Sequence, residues 1–351
     1  MAKITEYLQR AVDDNASDLF IVAGGPVSEK AEGRLQVIGE ERLLPPMTKE
    51  LISEIYELAG RSMDRYLKDG DDDFSFAVPG MARFRVNAYR QRGSLAAVVR
   101  VVAFTIPAWK SIHIPERVMD LADCNEGMIL VTGTAGSGKS TTQACIIDRI
   151  NRTRDCHIIT LEDPIEFLHR NQRSIVSQRE IAVDTTDYLA ALRACLRQAP
   201  DVILLGEMRD AETIRTTITA AETGHLVITT LHTSGAANAI DRIIDSFPGE
   251  HQSQIRAMLS MVLKTVISQQ MVPDKNGDMI PVFEIMHVNN AIRSLIRENK
   301  NHQINNVIAQ SAKEGMITMD QALLELYRAG TITQETALDH ADAPDMMKRQ
   351  L

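Results

Sequence analysis

Residues 133–140 read Gly-Thr-Ala-Gly-Ser-Gly-Lys-Ser, with an apolar run just before them and a helix-like stretch just after. This fits the pattern G-x-x-x-x-G-K-[ST] at Gly133, Gly138, Lys139 and Ser140. The pattern has a physical reading. Glycines let successive backbone N–H groups turn inward on phosphate oxygens, and the following helix N-terminus adds partial positive charge. The whole stretch Gly133, Thr134, Ala135, Gly136, Ser137, Gly138, Lys139, Ser140 and Thr141 is therefore expected to hold a nucleotide. Lys139 would reach the β- and γ-phosphates, and Ser140 would ligate Mg²⁺. ATP and Mg²⁺ are the expected cofactors.

A phosphate loop between strand and helix implies an α/β unit, and the apolar runs agree. Residues 128–132, 157–161, 202–205 and 226–231 are short apolar runs separated by helical patterns, as in a mostly parallel sheet covered on both faces. After Pro273 the pattern reads as mainly helical to the end. The first hundred residues differ: a helix over 3–14, a strand over 18–22, and a long helical pattern over 48–68. Then comes a polar turn at Asp69–Asp73, and two strands at 82–90 and 95–103 form a hairpin through Gln91–Ser94. The expected organisation is an α+β domain at 1–103, a linker at 104–116 with two prolines, and an α/β domain at 117–351. The last includes C-terminal helices from about 274.

Hydrolysis requires carboxylates at the ends of neighbouring strands. Two stretches supply them: Leu-Glu-Asp-Pro-Ile-Glu-Phe, with Glu162, Asp163 and Glu166, and Asp-Val-Ile-Leu-Leu-Gly-Glu, with Glu207. Glu162 and Glu207 are the catalytic candidates, and Glu207 doubles as a metal candidate. The competing reading of Glu162 and Asp163 is a helix N-cap ahead of Pro164; that of Glu207 is a solvated strand end. His225 and His232 bracket the run 226–231. Either could hydrogen-bond a γ-phosphate or be a satisfied buried histidine, and their spacing argues against a shared metal. Cys124, Cys145, Cys156 and Cys195 show no C-x-x-C spacing, and four reduced thiols are expected.

Four ordered stretches resemble one family, the secretion ATPases of type IV pili and type II secretion. They are 133–141, 159–167 (Ile-Thr-Leu-Glu-Asp-Pro-Ile-Glu-Phe), 192–214 and 223–233 (Thr-Gly-His-Leu-Val-Ile-Thr-Thr-Leu-His-Thr), standing where the family has its Walker A, Asp box, atypical Walker B and His box. Gly206 before Glu207, odd among P-loop enzymes at large, is normal there. Within the family the chain is similar to retraction members. It lacks room for extra N-terminal domains and a four-cysteine zinc insertion, and 291–298 read Ala-Ile-Arg-Ser-Leu-Ile-Arg-Glu. It departs from the family at Thr134-Ala135 (Pro-Thr), at Ala199 (Asp) and over residues 26–38.

The resemblance implies a PAS-like N-terminal domain at 1–103, a RecA-like ATPase domain at 117–351, and a homohexameric motor whose hydrolysis drives pilin removal and twitching motility. It implies sites shared with arginines: Arg85 and Arg100 of the N-terminal hairpin as catalytic candidates, and Arg193, Arg197 and Arg209 near nucleotide or interface. Solvated arginines or structural ion pairs are the alternative for each. The implied partners are the pilus inner-membrane platform protein and an accessory retraction ATPase. The expected location is the cytoplasm, at the inner face of the membrane, with no direct insertion, since no run reaches the ~18 apolar residues of a span.

Three rivals remain. An extension or secretion ATPase shares the motifs. A RecA-like DNA motor would want a basic balance, whereas the net charge is -9, so no nucleic acid is expected as partner. A non-hydrolysing regulator would have lost an acid, and none is missing.

Overall fold

The computed structural model describes residues 3–31, 33–102 and 106–351. In chain order the elements are α1 (Lys3–Asp13), β1 (Asp18–Ile21), β2 (Ser28–Ala31), β3 (Arg34–Val37), α2 (Pro45–Leu58), α3 (Asp64–Asp69), β4 (Asp71–Val78), β5 (Ala82–Gln91) and β6 (Ser94–Val102). After them come α4 (Glu116–Met119), β7 (Gly127–Thr132), α5 (Lys139–Thr153), β8 (His157–Glu162), β9 (Ile175–Glu180), α6 (Tyr188–Cys195), β10 (Val202–Leu205), α7 (Ala211–Glu222) and β11 (Leu226–Leu231). The chain closes with α8 (Ala236–Asp245), α9 (Gly249–Val262), β12 (Leu263–Pro273), β13 (Met279–His287), α10 (Asn290–Arg297), α11 (Ile304–Gln310), α12 (Met319–Arg328), α13 (Gln334–Asp339) and α14 (Pro344–Met347). It divides into two compact units, one of Met1–Thr105 with Glu166–Leu168 and one of Ile106–Ile165 with His169–Leu351, so the main break lies between residues 105 and 106. That break falls inside the stretch read as linker, 104–116; residues 104 and 105, and residue 103 of the expected strand, lie outside the described residues.

In the first unit six described strands form one sheet, ordered β3-β2-β1-β6-β5-β4. Strand β5 alternates: Phe84 and Val86 pack on Ile4 and Leu8 of α1 and Ile52 and Ile55 of α2, while Arg83, Arg85 and Asn87 take the other face. Strands β5 and β6 pair from Arg83↔Val102 to Gln91↔Ser94. Arg92 (φ 49°) and Gly93 (φ 78°) close this hairpin, the backbone a two-residue turn requires.

Two readings of this unit are corrected. The pattern over 48–68 is two helices, because the chain turns at Gly60 (φ 60°) between α2 and α3. The polar turn at Asp69–Asp73 is largely the start of β4. Asp72 there is buried, accepting from both Nε and Nη2 of Arg61 at 2.9 Å and from the Tyr56 hydroxyl at 3.0 Å. Burial pushes its carboxyl up, but those bonds outweigh the effect and leave it below the usual range.

The second unit holds a seven-stranded sheet ordered β13-β12-β7-β11-β10-β8-β9 among the described residues, parallel except for β13. Its central strands β7, β10 and β11 are buried at every position, as continuous apolar runs demand when helices cover both faces. This RecA-like arrangement sets the ends of β7, β11, β10 and β8 along one edge, the place where open α/β sheets bind ligands. The expectation of helices from about 274 is corrected: β13 pairs with β12 from Thr265↔His287 to Pro273↔Met279, and helices resume only at Asn290. All four cysteines are unpaired thiols. Among the described residues no helix is long and apolar enough to cross a membrane.

Candidate functional site: a phosphate loop facing strand-end acids

Strand β7 ends at Thr132 and the chain enters the loop at Gly133 with φ 146°. A side chain there would put Cβ 2.2 Å from the Gln269 carbonyl oxygen and 2.5 Å from Ser137 Oγ. At Gly138 (φ 85°), the residue before α5, a Cβ would stand 2.8 Å from the Gln269 amide. Glycine is obligatory at both for steric reasons as well as conformational ones. Lys139 is buried, its Nζ donating to the carbonyls of Gly133 (2.9 Å) and Thr134 (2.7 Å). Its ammonium thus sits over the loop that must face a phosphate.

Several hydroxyls at this edge are buried without hydrogen-bond partners: Thr132, Ser137, Thr229 and Thr233. Orphaned buried groups at a glycine loop are what a polyanionic ligand would satisfy. Ser140 is half-buried in the first turn of α5, and Thr134, Ala135 and Gly136 form the exposed rim. A cavity of about 420 Å³ opens beside Gly138 and Thr141, lined by Ile112, Ile114, Met271 and Ile280, with His113 at its mouth in a left-handed conformation (φ 59°). It is mostly apolar and suits a planar base.

The acids follow along the same edge. Glu207, just past β10, is ion-paired to Arg209, and its other oxygen lies 3.4 Å from His232 Nε2. Arg209 also reaches Asp163 at 3.8 Å. Glu162 ends β8, accepting from the Thr160 hydroxyl (2.6 Å) and the Gln178 amide (3.3 Å). No helix starts at Asp163-Pro164, so the N-cap reading of this pair is excluded. Strands stand about 4.8 Å apart, so the ends of β10 and β8, which carry Glu207 and Glu162, lie about 10 Å and about 14 Å along the edge from β7. No cluster of three or more His, Cys, Asp or Glu suited to a metal exists among the described residues. The donor set nonetheless fits magnesium as phosphate loops hold it, one hydroxyl and one carboxylate with phosphate oxygens.

Gly206 has its own explanation. A Cβ there would stand 2.7 Å from the Tyr188 hydroxyl and 3.3 Å from the Leu161 carbonyl. Burial, then the charges of Asp163 and Glu207, push the Tyr188 phenol far up, so it stays neutral. Tyr188 and Gln269 were both missed in the sequence, which carries no motif at either position.

Some candidates are placed elsewhere. His225 precedes β11, and β11 runs parallel to β7 from Leu226↔Gly127 to Leu231↔Thr132. It therefore lies at the opposite edge of the sheet, about 20 Å from the loop, where Nδ1 meets the Ala220 carbonyl (2.9 Å) and the Thr223 hydroxyl (3.2 Å). The expectation that His225 contacts the nucleotide is corrected: its ring is half-buried and satisfied at this far edge. Arg193 and Arg197 do not share one helix face, because α6 ends at Cys195. Arg193 is bound to Glu212, and Arg197 donates to the Arg193 carbonyl; neither is brought to the loop in this unit. In the first unit Arg85 and Arg100 are direct cross-strand partners. Like charges so placed repel, and each is held by a carboxylate: Arg85 by Asp73 (2.8 and 3.2 Å), Arg100 by Asp18 (2.9 Å).

A parallel sheet with a phosphate loop on one strand and carboxylates ending the strands beside it makes this a RecA-like P-loop ATPase. A family model described as "Type II/IV secretion system protein" matches residues 2–338, and the chain belongs to that family. It is 43% identical over 347 residues (97% of this chain, 99% of the other) to the "Type IV pilus retractation ATPase PilT" of Pseudomonas aeruginosa. It is 45% identical over 307 residues (87% and 82%) to a "Twitching motility protein" of Neisseria gonorrhoeae. The crystal structure of the pilus retraction motor PilT with bound ADP superposes with a TM-score of 0.91 at 42% identity, covering 99% of both chains.

Proposed function

We propose that this chain hydrolyses ATP to power retraction of type IV pili, and thereby twitching motility. The observation that carries the reading is its likeness, along nearly the whole chain, to a retraction ATPase, with loop and acids in place. ATP phosphates lie against the loop N–H groups and Lys139, with the base in the cavity beside Thr141. Ser140 and Glu207 would hold magnesium, which would neutralise phosphate charge there. A water attacks the γ-phosphorus, the bond to the β–γ bridging oxygen breaks, and the proton passes to a strand-end carboxylate, Glu162 or Glu207. His232, 3.4 Å from Glu207, would register the loss of the γ-phosphate.

The working form is proposed to be a homohexamer at the cytoplasmic base of the pilus, acting on an inner-membrane platform protein, with an accessory retraction ATPase as a further partner. Arg85 and Arg100 are proposed to stabilise the charge built at the γ-phosphate, an effect of about 10³–10⁵ where arginine fingers have been measured. Arg85 is held to Asp73 by a half-exposed ion pair worth about 0–1 kcal/mol, which a triphosphate can outcompete; Arg100 is exposed, with its partner Asp18 buried. Arg193, Arg197 and Arg209 are proposed for the subunit interface or nucleotide. Counting surface pili and measuring twitching tests the reading. A deletion strain and a Lys139→Ala strain should both be hyperpiliated and non-motile. Bald cells would instead mark an extension or secretion ATPase.

A further inference from the structure

Strand β12 runs parallel to β7 with Ile267↔Val131 and Ser268↔Thr132, so Gln269 falls level with Gly133, the first glycine of the phosphate loop. Its backbone carbonyl is the atom a Cβ at Gly133 would strike, and its side-chain amide is the group a Cβ at Gly138 would strike. The side chain is 3% exposed, and its Oε1 accepts from the hydroxyl of Thr142, itself 1% exposed, at 2.8 Å in the first turns of α5. One buried glutamine therefore touches both ends of the loop and the helix whose N-terminus faces the phosphates. Burying an amide and a hydroxyl together is tolerated only while they satisfy each other; an orphaned member costs about 1–3 kcal/mol.

From this we infer that Gln269 is a positioning residue for nucleotide binding. It does not touch reacting atoms. It fixes the distance from the edge of β12 to α5, and so holds the glycine loop in the open form in which its N–H groups converge on phosphate. With the amide removed, Thr142 loses its acceptor and Gly138 loses the group packed against it. The loop then samples conformations whose N–H groups diverge, and the binding-competent fraction falls. The neighbouring residues show the same strand serving the rest of the site. Ser268 Oγ accepts the Gly235 N–H at 2.9 Å, in the segment that follows His232, and Gln270 donates to the His340 carbonyl at 3.1 Å. Because Gln269 acts before chemistry, its signature is affinity rather than turnover. The inference rests on the reading of residues 133–141 as the nucleotide site.

The test is ADP binding by calorimetry and steady-state ATP hydrolysis on the full chain, for the parent, Gln269→Met, Thr142→Val and the double variant. Gln269→Met keeps the volume and deletes the hydrogen bond. It should weaken ADP binding and raise the ATP KM about tenfold, which is about 1.4 kcal/mol, with kcat within about twofold. The double variant, which removes both buried partners, should recover most of the affinity. Unchanged KM in Gln269→Met, a loss confined to kcat, or a double variant no better than Gln269→Met would each overturn the inference. Should Gln269→Met not fold, Gln269→Glu decides. It keeps an acceptor for Thr142 but sets a carboxylate beside Gly138, so its ADP affinity relative to the parent should drop about fivefold or more from pH 6 to pH 8; a flat ratio overturns the inference. A parent that binds no ADP would sink the nucleotide-site reading itself, whereas a parent that binds and a Gln269→Met that binds equally well sinks only this one.

Discussion

Replacing Gly206 by alanine tests why a glycine stands where a P-loop enzyme usually has its acid. The new Cβ would lie 2.7 Å from the Tyr188 hydroxyl, 3.3 Å from the Leu161 carbonyl and 3.5 Å from the Tyr188 ring. The Tyr188 ring is buried in the core under β8 and β10, among Leu161, Ile203 and Leu205, and cannot swing away. Either it or the end of β10 must yield by roughly half an ångström in a close-packed interior, at about 1–3 kcal/mol of overpacking strain. Glu207, proposed above as a catalytic acid, is the next residue, and misplacing such a group by about 1 Å can cost about 10²-fold. Gly206→Ala should therefore lower kcat about 10- to 100-fold. Its ADP affinity should stay within about threefold, because the phosphate loop hangs from β7, two strands away. The clash is with one oxygen atom, so Tyr188→Phe in the same chain should restore most of the lost rate, a coupling of about 1–2 kcal/mol. Tyr188→Phe alone should lose little, since its hydroxyl has no hydrogen-bond partner among the described residues. Phosphate release by stopped-flow, with calorimetry for ADP, gives both numbers. A fully active Gly206→Ala, or a double variant as slow as the single one, would refute the reasoning.

Other outcomes follow from the same geometry. Asp72→Ala strips the acceptor from the buried Tyr56 hydroxyl and the partner from the half-exposed Arg61, and should destabilise the first unit by about 1–3 kcal/mol in urea denaturation. The His169 imidazole is held down to about 4 by burial, against 6.5 when unfolded. The unfolded chain then takes up the extra proton as pH falls, so its contribution is complete above pH 6.5 and is lost between pH 6.5 and 4. The loss, on the order of 2 kcal/mol, is visible as a falling unfolding midpoint that His169→Phe flattens. Ala199 occupies a left-handed backbone (φ 50°), so Ala199→Gly should stabilise the second unit by about 1 kcal/mol, read as a rise in melting temperature.

What could be read in the sequence was whatever local chemistry dictates. The phosphate loop declares itself because its glycines answer to backbone geometry within eight residues, and β7, β10 and β11 because strands buried on both faces must be apolar throughout. What depends on distant partners stayed hidden. Asp72 sits in an acidic run that looks solvated, and only Arg61 and Tyr56, 11 and 16 positions away, reveal it as buried. Strand β13 has mixed residues that suit a helix as well, and its pairing with β12 decides the matter. His225 and His232 look equivalent around one strand, yet six strand residues carry the chain across the whole sheet. Tyr188 and Gln269 support the site through the contacts their glycines leave open, and no spacing rule announces such contacts.

A carboxylate at the strand ends is what would turn a nucleotide-holding loop into a hydrolytic motor. The direct measurement is ATP turnover beside nucleotide affinity in Glu207→Gln, which keeps the shape and removes the charge. Affinity for ADP within about threefold of the parent, with kcat reduced about 10²-fold or more, is the predicted result. Turnover equal to the parent's would contradict it.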